Sequence, residues 1–237
     1  MNQAAKIVAD AAPIPTAIAG EQALCDHRGV LYLPAMRLMV VSDLHLEKGS
    51  SLARRGTLVP PYDTAATLAR LAETIAHYRP ETVVSLGDSF HDGEGAARMP
   101  DAFRDRLVAM MEGRRWFWIA GNHDPLPPDG VPGRTVDQLA VGGLLFRHEP
   151  APGARVGEIA GHLHPGARVV RRGRSVRRAC FVGDGTRLIM PAFGAFTGML
   201  NVLDDAFDGL FSAERMVAYV LGRERVYAVA WAQLRRG

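Results

Sequence analysis

The chain has 237 residues, 48% of them hydrophobic and 22% charged, with a formal net charge of +3 carried mostly by arginine; this fits one α/β domain with a substantial core. No run approaches the roughly 18 uninterrupted apolar residues that cross a bilayer, and the first residues lack the basic-then-apolar order of a secretory signal, so a cytoplasmic protein is expected. Cys25 and Cys180 stand far apart with no second cysteine nearby, which excludes a zinc knuckle or a disulfide framework.

Residues 1–19, rich in Ala and Pro without a period, read as a flexible N-terminal extension, and 20–237 as a single domain. Two apolar runs around Pro34, 30–33 and 37–41, read as strands, the second leading into Ser42-Asp43-Leu44-His45. Residues at i and i+2 point the same way while the chain stays extended, so Asp43 and His45 can converge on one ion. Standing alone, the motif would read as a solvated loop.

A helix is expected over 63–78, with Leu68, Leu71, Ala72 and Ile75 on one face, Asp63 as N-cap and Pro80 as stop. It would cross over between the Asp43 strand and Thr82-Val83-Val84, making a parallel βαβ unit. The second strand delivers Ser85-Leu86-Gly87-Asp88, with Gly87 allowing the turn and Asp88 at the strand's carboxyl end, where ligands of open α/β sheets collect. Next come a helix over 100–111 and the strand Trp116-Phe117-Trp118-Ile119, whose aromatics read as core rather than as a stacking platform. It ends in Gly121-Asn122-His123-Asp124.

Past Pro125 the pattern becomes short segments punctuated by Gly and Pro, as in a second sheet. A strand over 144–147 runs into His148, and one over 156–160 into Gly161-His162-Leu163-His164. A hairpin over 169–182 turning near Gly173, a strand over 187–190, a helix over 212–221 and a strand over 226–231 complete the chain. The stretch 191–198, with two glycines beside aromatics, suggests a close backbone approach.

Six of the eight histidines lie in or beside these Asp, Asn and Gly motifs. Carboxylates and an amide with interleaved imidazoles suit a pair of Mn, Fe or Zn ions. The expected sharing gives one ion Asp43, His45 and His164, gives the other Asn122, His148 and His162, and sets Asp88 between them. Such a pair generates hydroxide at neutral pH and clamps phosphate oxygens. His123 is left to face the substrate as a general acid, with Asp124 orienting its imidazole or capping the loop. His91 and Asp92 reach the edge of the site or satisfy their own loop.

The series Asp43-Leu44-His45, Gly87-Asp88, Gly121-Asn122-His123-Asp124, His148 and Gly161-His162-Leu163-His164 resembles the signature of calcineurin-like metallophosphoesterases. That resemblance implies an αββα sandwich of two mixed sheets with a bimetal site at one edge, the ligand roles above, and hydrolysis of phosphate esters. Ser42 to Gly49, Gly87 to Asp92, Gly161 to Pro165 and Leu188 to Gly194 are further similar to the bacterial DNA-ligase-associated group, whose members are known as DNA-damage-response endonucleases. This implies a DNA phosphodiesterase using manganese beside an ATP-dependent ligase, a helicase and an exonuclease. A small-molecule nucleotide or lipid-pyrophosphate hydrolase is the alternative, and a metal-binding repair scaffold without turnover is a third. Arg168, Arg171, Arg172, Arg174, Arg177 and Arg178 follow the last motif and form either a basic strip for a phosphate backbone or a solvated hairpin. Arg54 and Arg55 could lengthen the strip.

Overall fold

In the computed structural model, residues 13–57, 62–126, 128–153, 155–171 and 173–236 are described, Arg171 by its backbone alone. The chain opens with four antiparallel strands in sequence order, β1 (Ile14–Ile18), β2 (Glu21–Cys25), β3 (Leu31–Leu33) and β4 (Leu38–Val41). Ala19 and Gly20, both at positive φ, make the two-residue turn that matches strand twist in a tight hairpin. Residues 14–18, expected in the extension, are therefore part of the sheet. Pro15 is tolerated there because β1 is an edge strand. Residues 1–12 lie outside the described residues, as do Pro60 and Pro61.

Helices α1 (Lys48–Arg54) and α2 (Asp63–Tyr78) carry the chain to β5 (Thr82–Ser85), which lies parallel to β4 as the βαβ reading required. Then α3 (Gly95–Arg98) and α4 (Asp101–Met111) lead to β6 (Arg115–Ile119) and β7 (Arg134–Val136), both parallel additions that complete a seven-stranded sheet. Along β4 the side chains alternate: Met39 and Val41 join Leu68, Leu71, Ile75, Leu107, Trp116 and Trp118 beneath the helices, while Leu38 and Val40 face the other way. The tryptophans are thus core. Tyr62 rather than Asp63 occupies the cap of α2; Asp63 is buried and accepts the Gly49 N–H at 2.9 Å, tying α1 to α2.

The second sheet contains β8 (Gln138–Val141), β9 (Leu144–Arg147), β10 (Glu158–Ala160), β11 (Pro165–Arg171), β12 (Arg174–Gly183), β13 (Leu188–Ile189), β14 (Leu200–Asn201), β15 (Val217–Leu221) and β16 (Val226–Ala230). Its order is β14-β11-β12-β13-β10-β9-β8, with β15 between β12 and β16. Parallel and antiparallel pairs mix, β10 lying parallel to both β9 and β13. Leu144, Phe146, Ile159, Phe181 and Leu188 meet Leu38, Val40, Val84 and Ile119 of the first sheet in a shared core. This is the expected two-sheet sandwich. Its second outer layer, however, is a loop with a single 3-10 turn, from which Phe207, Leu210 and Met216 cover Cys180, Val182 and Ala218. The expected helix over 212–221 is absent: 217–221 is β15, drawn into strand by pairing with Cys180–Gly183 on one side and β16 on the other. Both cysteines are free and buried.

A buried polar knot anchors α2 to the turn between β2 and β3. Asp26, fully buried, accepts the Tyr78 hydroxyl at 2.6 Å and the Arg28 Nε and Nη2 groups at 2.9 and 2.7 Å. Burial opposes ionisation of Asp26, but these hydrogen bonds outweigh it and hold the carboxyl below its usual range. Asp26→Asn is expected to cost about 3 kcal/mol of unfolding free energy at neutral pH, as when one partner of a buried ion pair is removed. The folded-state value is the lower one, so the contribution is present above about pH 4 and fades as pH falls through that lowered value. Urea titrations of both proteins across this range check it.

Candidate metal centre

All five motifs emerge from carboxyl ends of strands: Asp43 and His45 after β4, Asp88 after β5, Asn122 after β6, His148 after β9, and His162 and His164 after β10. Because β4, β5 and β6 are parallel, as are β9 and β10, their loops open on one edge of the sandwich. The loops are stitched together there. His45 N–H donates to Asp88 O (2.9 Å), Leu46 N–H to Ser89 O (2.9 Å), and His91 N–H back to Leu46 O (2.9 Å). The second sheet is fastened to the first by His162 N–H on Asp43 Oδ2 at 3.1 Å.

Asp43 and His45 do converge, but not on an extended chain. Their φ angles are +52° and +42°, and Asp88 (+45°), His162 (+67°) and His164 (+45°) share this left-handed region. Such conformations are costly for residues with a Cβ and persist where surrounding structure imposes them, which is characteristic of functional sites. The loops also need glycine for close approach. A Cβ on Gly121 would lie 2.2 Å from Asp88 N, and one on Gly87 would lie 2.5 Å from His148 Nδ1.

Two donor groups result, Asp43 with His45 and His164, and Asp88 with His148 and His162. In the first, His164 Nε2 lies 3.2 Å from Asp43 Oδ1 and 3.4 Å from His45 Nε2. In the second, His148 Nε2, His162 Nδ1 and Asn122 Oδ1 form a triangle with sides of 2.9, 3.0 and 3.1 Å. Asp88 faces both groups: Oδ1 is 3.4 Å from His148 Nε2, and Oδ2 is 3.9 Å from His45 Nε2.

The donor chemistry fits cations. His148 Nδ1 lies 2.8 Å from the Leu86 carbonyl, which can only accept, so Nδ1 carries the proton. In the neutral imidazole Nε2 then presents a lone pair towards the Asn122 oxygen, a meeting of two acceptors that a positive ion relieves. A histidine whose other nitrogen donates to a backbone carbonyl is a typical oriented ligand. Burial, partly opposed by Asp43 and reinforced by His164, His91 and His123, pushes His45 down to about 3 and keeps its imidazole neutral. Burial would raise Asp43, but His164, His148 and the Ser42 hydroxyl lower it overall and favour the carboxylate. Its Oδ1 is buried without an aligned hydrogen bond.

His123 sits at the rim, 43% exposed, with Nε2 3.9 Å from Asp88 Oδ2 and its ring stacked on His91 at 5.4 Å. Asp124 does not turn to that imidazole. Its Oδ2 accepts the Ser89 and Phe90 N–H groups at 2.8 and 3.0 Å, fixing the backbone immediately after Asp88. Burial pushes Asp124 up to about 7, against the Phe90 and Ser89 hydrogen bonds and with help from the Asp88 charge. Asp92 is likewise taken up locally, in a two-pronged contact with Arg98 at 2.7 and 2.9 Å.

The basic hairpin starts one residue past His164 and runs outward. Arg168 pairs across with Arg177, and Arg171 with Arg174 at the tip, about 10 Å further along. Arg168 donates to Ser175 Oγ and the Arg236 carbonyl, both at 2.9 Å. Arg174 and Arg178 are exposed, and Arg172 lies outside the described residues. Sequence reasoning missed the 193–194 wrap, where Phe193 and Gly194 N–H groups bind the Ser42 and Asp43 carbonyls at 2.8 and 3.0 Å. The paired glycines had signalled only a close approach, which Gly194 makes to the Leu44 carbonyl.

Residues 36–177 match the family described as calcineurin-like phosphoesterase. Among solved structures, the nuclease MPE of Pseudomonas putida is 30% identical, with 92% of this chain and 100% of that chain covered at a TM-score of 0.69. Yfce, a phosphoesterase from E. coli, is 17% identical over 81% of this chain and 98% of that one, with a TM-score of 0.40. No curated protein sequence matches. The matched span is more than half of the chain and holds both donor groups, and the chain belongs to the calcineurin-like phosphoesterase family of metal-dependent phosphoesterases.

Proposed function

We propose that Asp43, His45 and His164 hold one divalent cation, that Asn122, His148 and His162 hold the other with Asp88 between, and that the enzyme hydrolyses phosphodiester bonds in DNA. The observation that carries the chemistry is the pair of donor groups on either side of Asp88. Two such ions supply Lewis acidity that activates water at neutral pH and steadies the phosphate oxygens. The chain's own residues do the rest. Asp124 and Gly121 keep the Asp88 loop in place, His123 donates a proton to the leaving oxygen from the rim, and His91 braces the His123 ring and meets the substrate.

DNA is favoured by the 30% identity to a nuclease over nearly the whole chain and by the arginines at 168, 171, 172 and 174, which suit a phosphate backbone without reading bases. The same reading has manganese as the ion, a single domain, and a cytoplasmic role in DNA repair beside an ATP-dependent ligase, with its helicase and exonuclease. The test is metal-stripped protein resupplied with Mn²⁺ and given labelled single-stranded and nicked DNA, with bis-p-nitrophenyl phosphate in parallel. Cleavage of DNA that weakens steeply with salt is expected. Turnover of the small diester with DNA left intact would sink the nuclease reading and favour a nucleotide or lipid pyrophosphate.

His123→Ala is expected to slow DNA cleavage by about 10²–10⁴-fold, the usual worth of a general acid. The loss should be smaller on the nitrophenyl ester, whose leaving group needs less protonation. Equal losses on both substrates would assign His123 to shaping the centre instead.

A further inference from the structure

We propose that Ser42 is a positioning residue of the metal centre: its buried hydroxyl and the His162 N–H together occupy one oxygen of Asp43, so that the carboxylate offers only the other, Oδ1, to a cation. This rests on the metal assignment proposed above. Ser42 is fully buried and follows β4 directly. It continues the alternation of that strand on the side of Leu38 and Val40, which face the second sheet. Its hydroxyl donates to Asp43 Oδ2, and the His162 N–H donates to the same oxygen at 3.1 Å. The Ser42 carbonyl accepts the Phe193 N–H at 2.8 Å, so the residue is held by its backbone as well as by its side chain.

Each carboxylate oxygen has about two lone-pair directions. Both of those on Oδ2 are taken, one by a donor from each half of the sandwich. Oδ1 is what remains: it is buried without an aligned hydrogen bond, 3.2 Å from His164 Nε2. A buried acceptor left without a partner is destabilising, and a cation held there relieves it. The sequence makes room for this arrangement. A Cβ on Gly161 would collide with the Ser42 hydroxyl and lie 2.7 Å from Asp43 Oδ2, so the glycine that opens the His162 motif leaves the space that the hydroxyl fills. Alanine at position 42 would leave Oδ2 with a single donor, and the carboxylate could then turn and offer either oxygen.

The experiment titrates Mn²⁺ by calorimetry into metal-stripped wild type, Ser42→Ala and Thr74→Ala. The last is the control, since it removes a buried hydroxyl whose hydrogen bond, to the Arg70 carbonyl at 2.6 Å, lies within α2. Loss of a hydrogen-bond partner of a ligating carboxylate should weaken Mn²⁺ binding in Ser42→Ala by about 10–100-fold. Turnover of bis-p-nitrophenyl phosphate by this variant should return towards the wild-type value at saturating Mn²⁺, a shift that loss of folded protein does not produce. Thr74→Ala should keep the wild-type isotherm. An unaltered isotherm in Ser42→Ala, or a turnover deficit that added Mn²⁺ leaves in place, overturns the positioning role alone. A crystal of the Mn²⁺-loaded wild type gives a check that does not depend on the variant: Oδ1 of Asp43 on the ion with Oδ2 on Ser42 and His162 is expected, and Oδ2 or both oxygens on the ion overturns the role. A wild-type protein that binds no Mn²⁺ overturns the metal assignment, and the role of Ser42 with it.

Discussion

Asp88→Asn is expected to lower Mn²⁺-dependent phosphodiesterase activity by on the order of 10³-fold or more. Losing a residue that merely orients a metal ligand typically costs 10–100-fold, and the two oxygens of Asp88 face the two donor groups separately. Asparagine removes the charge and one of those oxygens. It keeps the shape, and its remaining oxygen can still accept the His123 N–H, which Asp88 Oδ1 does at 3.0 Å. The metal-free protein should accordingly melt within about 3 °C of the wild type, since the substitution relieves a buried charge rather than opening a cavity. Activity and thermal denaturation measured on the same preparation separate the two effects. A variant retaining a tenth or more of wild-type turnover would mean that Asp88 does not lie between two ions.

Gly121→Ala should act through packing. The added Cβ would fall 2.2 Å from Asp88 N, 2.3 Å from Asp88 Oδ1 and 2.6 Å from Asp124 Oδ1. Two of these atoms belong to the group that the site is built around, and none is the far end of a flexible side chain. Forcing a methyl into such a space costs about 3 kcal/mol, which lowers the melting temperature by roughly 6–12 °C in a domain of this size. Metal affinity and turnover should fall together, because the Asp88 loop must shift. Gly143→Ala, with nothing within 4 Å of its Cβ, is the matched control and should change neither. Equal melting temperatures for the two variants would contradict the close approach of the 121 and 88 loops.

The parts of the fold that could be read from sequence are those in which one signal dominated. β4, β5 and β6 are short apolar runs separated each time by a pair of helices, and each leads at once into a polar motif. That order alone requires a parallel sheet whose ligands gather at one edge. Where local and tertiary preferences conflict, the reading failed. The stretch Ser212-Ala213-Glu214-Arg215-Met216 looks helical in composition, yet the chain enters β15 directly after it, because the β12 edge offers Val217–Leu221 a partner. Pro15 disguised β1, an edge strand whose pairing with β2 is visible only in three dimensions.

The candidate site shows the same division. Which side chains gather at the candidate site was legible because few other functions demand Asp, Asn and His in five separate strand-end motifs. Their backbone geometry was not, since left-handed conformations at Asp43, His45, Asp88, His162 and His164 run against the preference of each residue. Asp124 was misread for a related reason. Proximity to His123 in sequence suggested an imidazole partner, whereas the fold spends that carboxylate on the Ser89 and Phe90 amides 35 and 34 residues away.

The most direct test of the two-metal account is a crystal of the Mn²⁺-loaded protein with anomalous scattering recorded at the manganese edge. The account predicts two peaks about 3.5–4 Å apart, one among Asp43, His45 and His164, the other among Asn122, His148 and His162, with Asp88 touching both. A single peak in a fully active crystal preparation, or two peaks elsewhere in the chain, would contradict it.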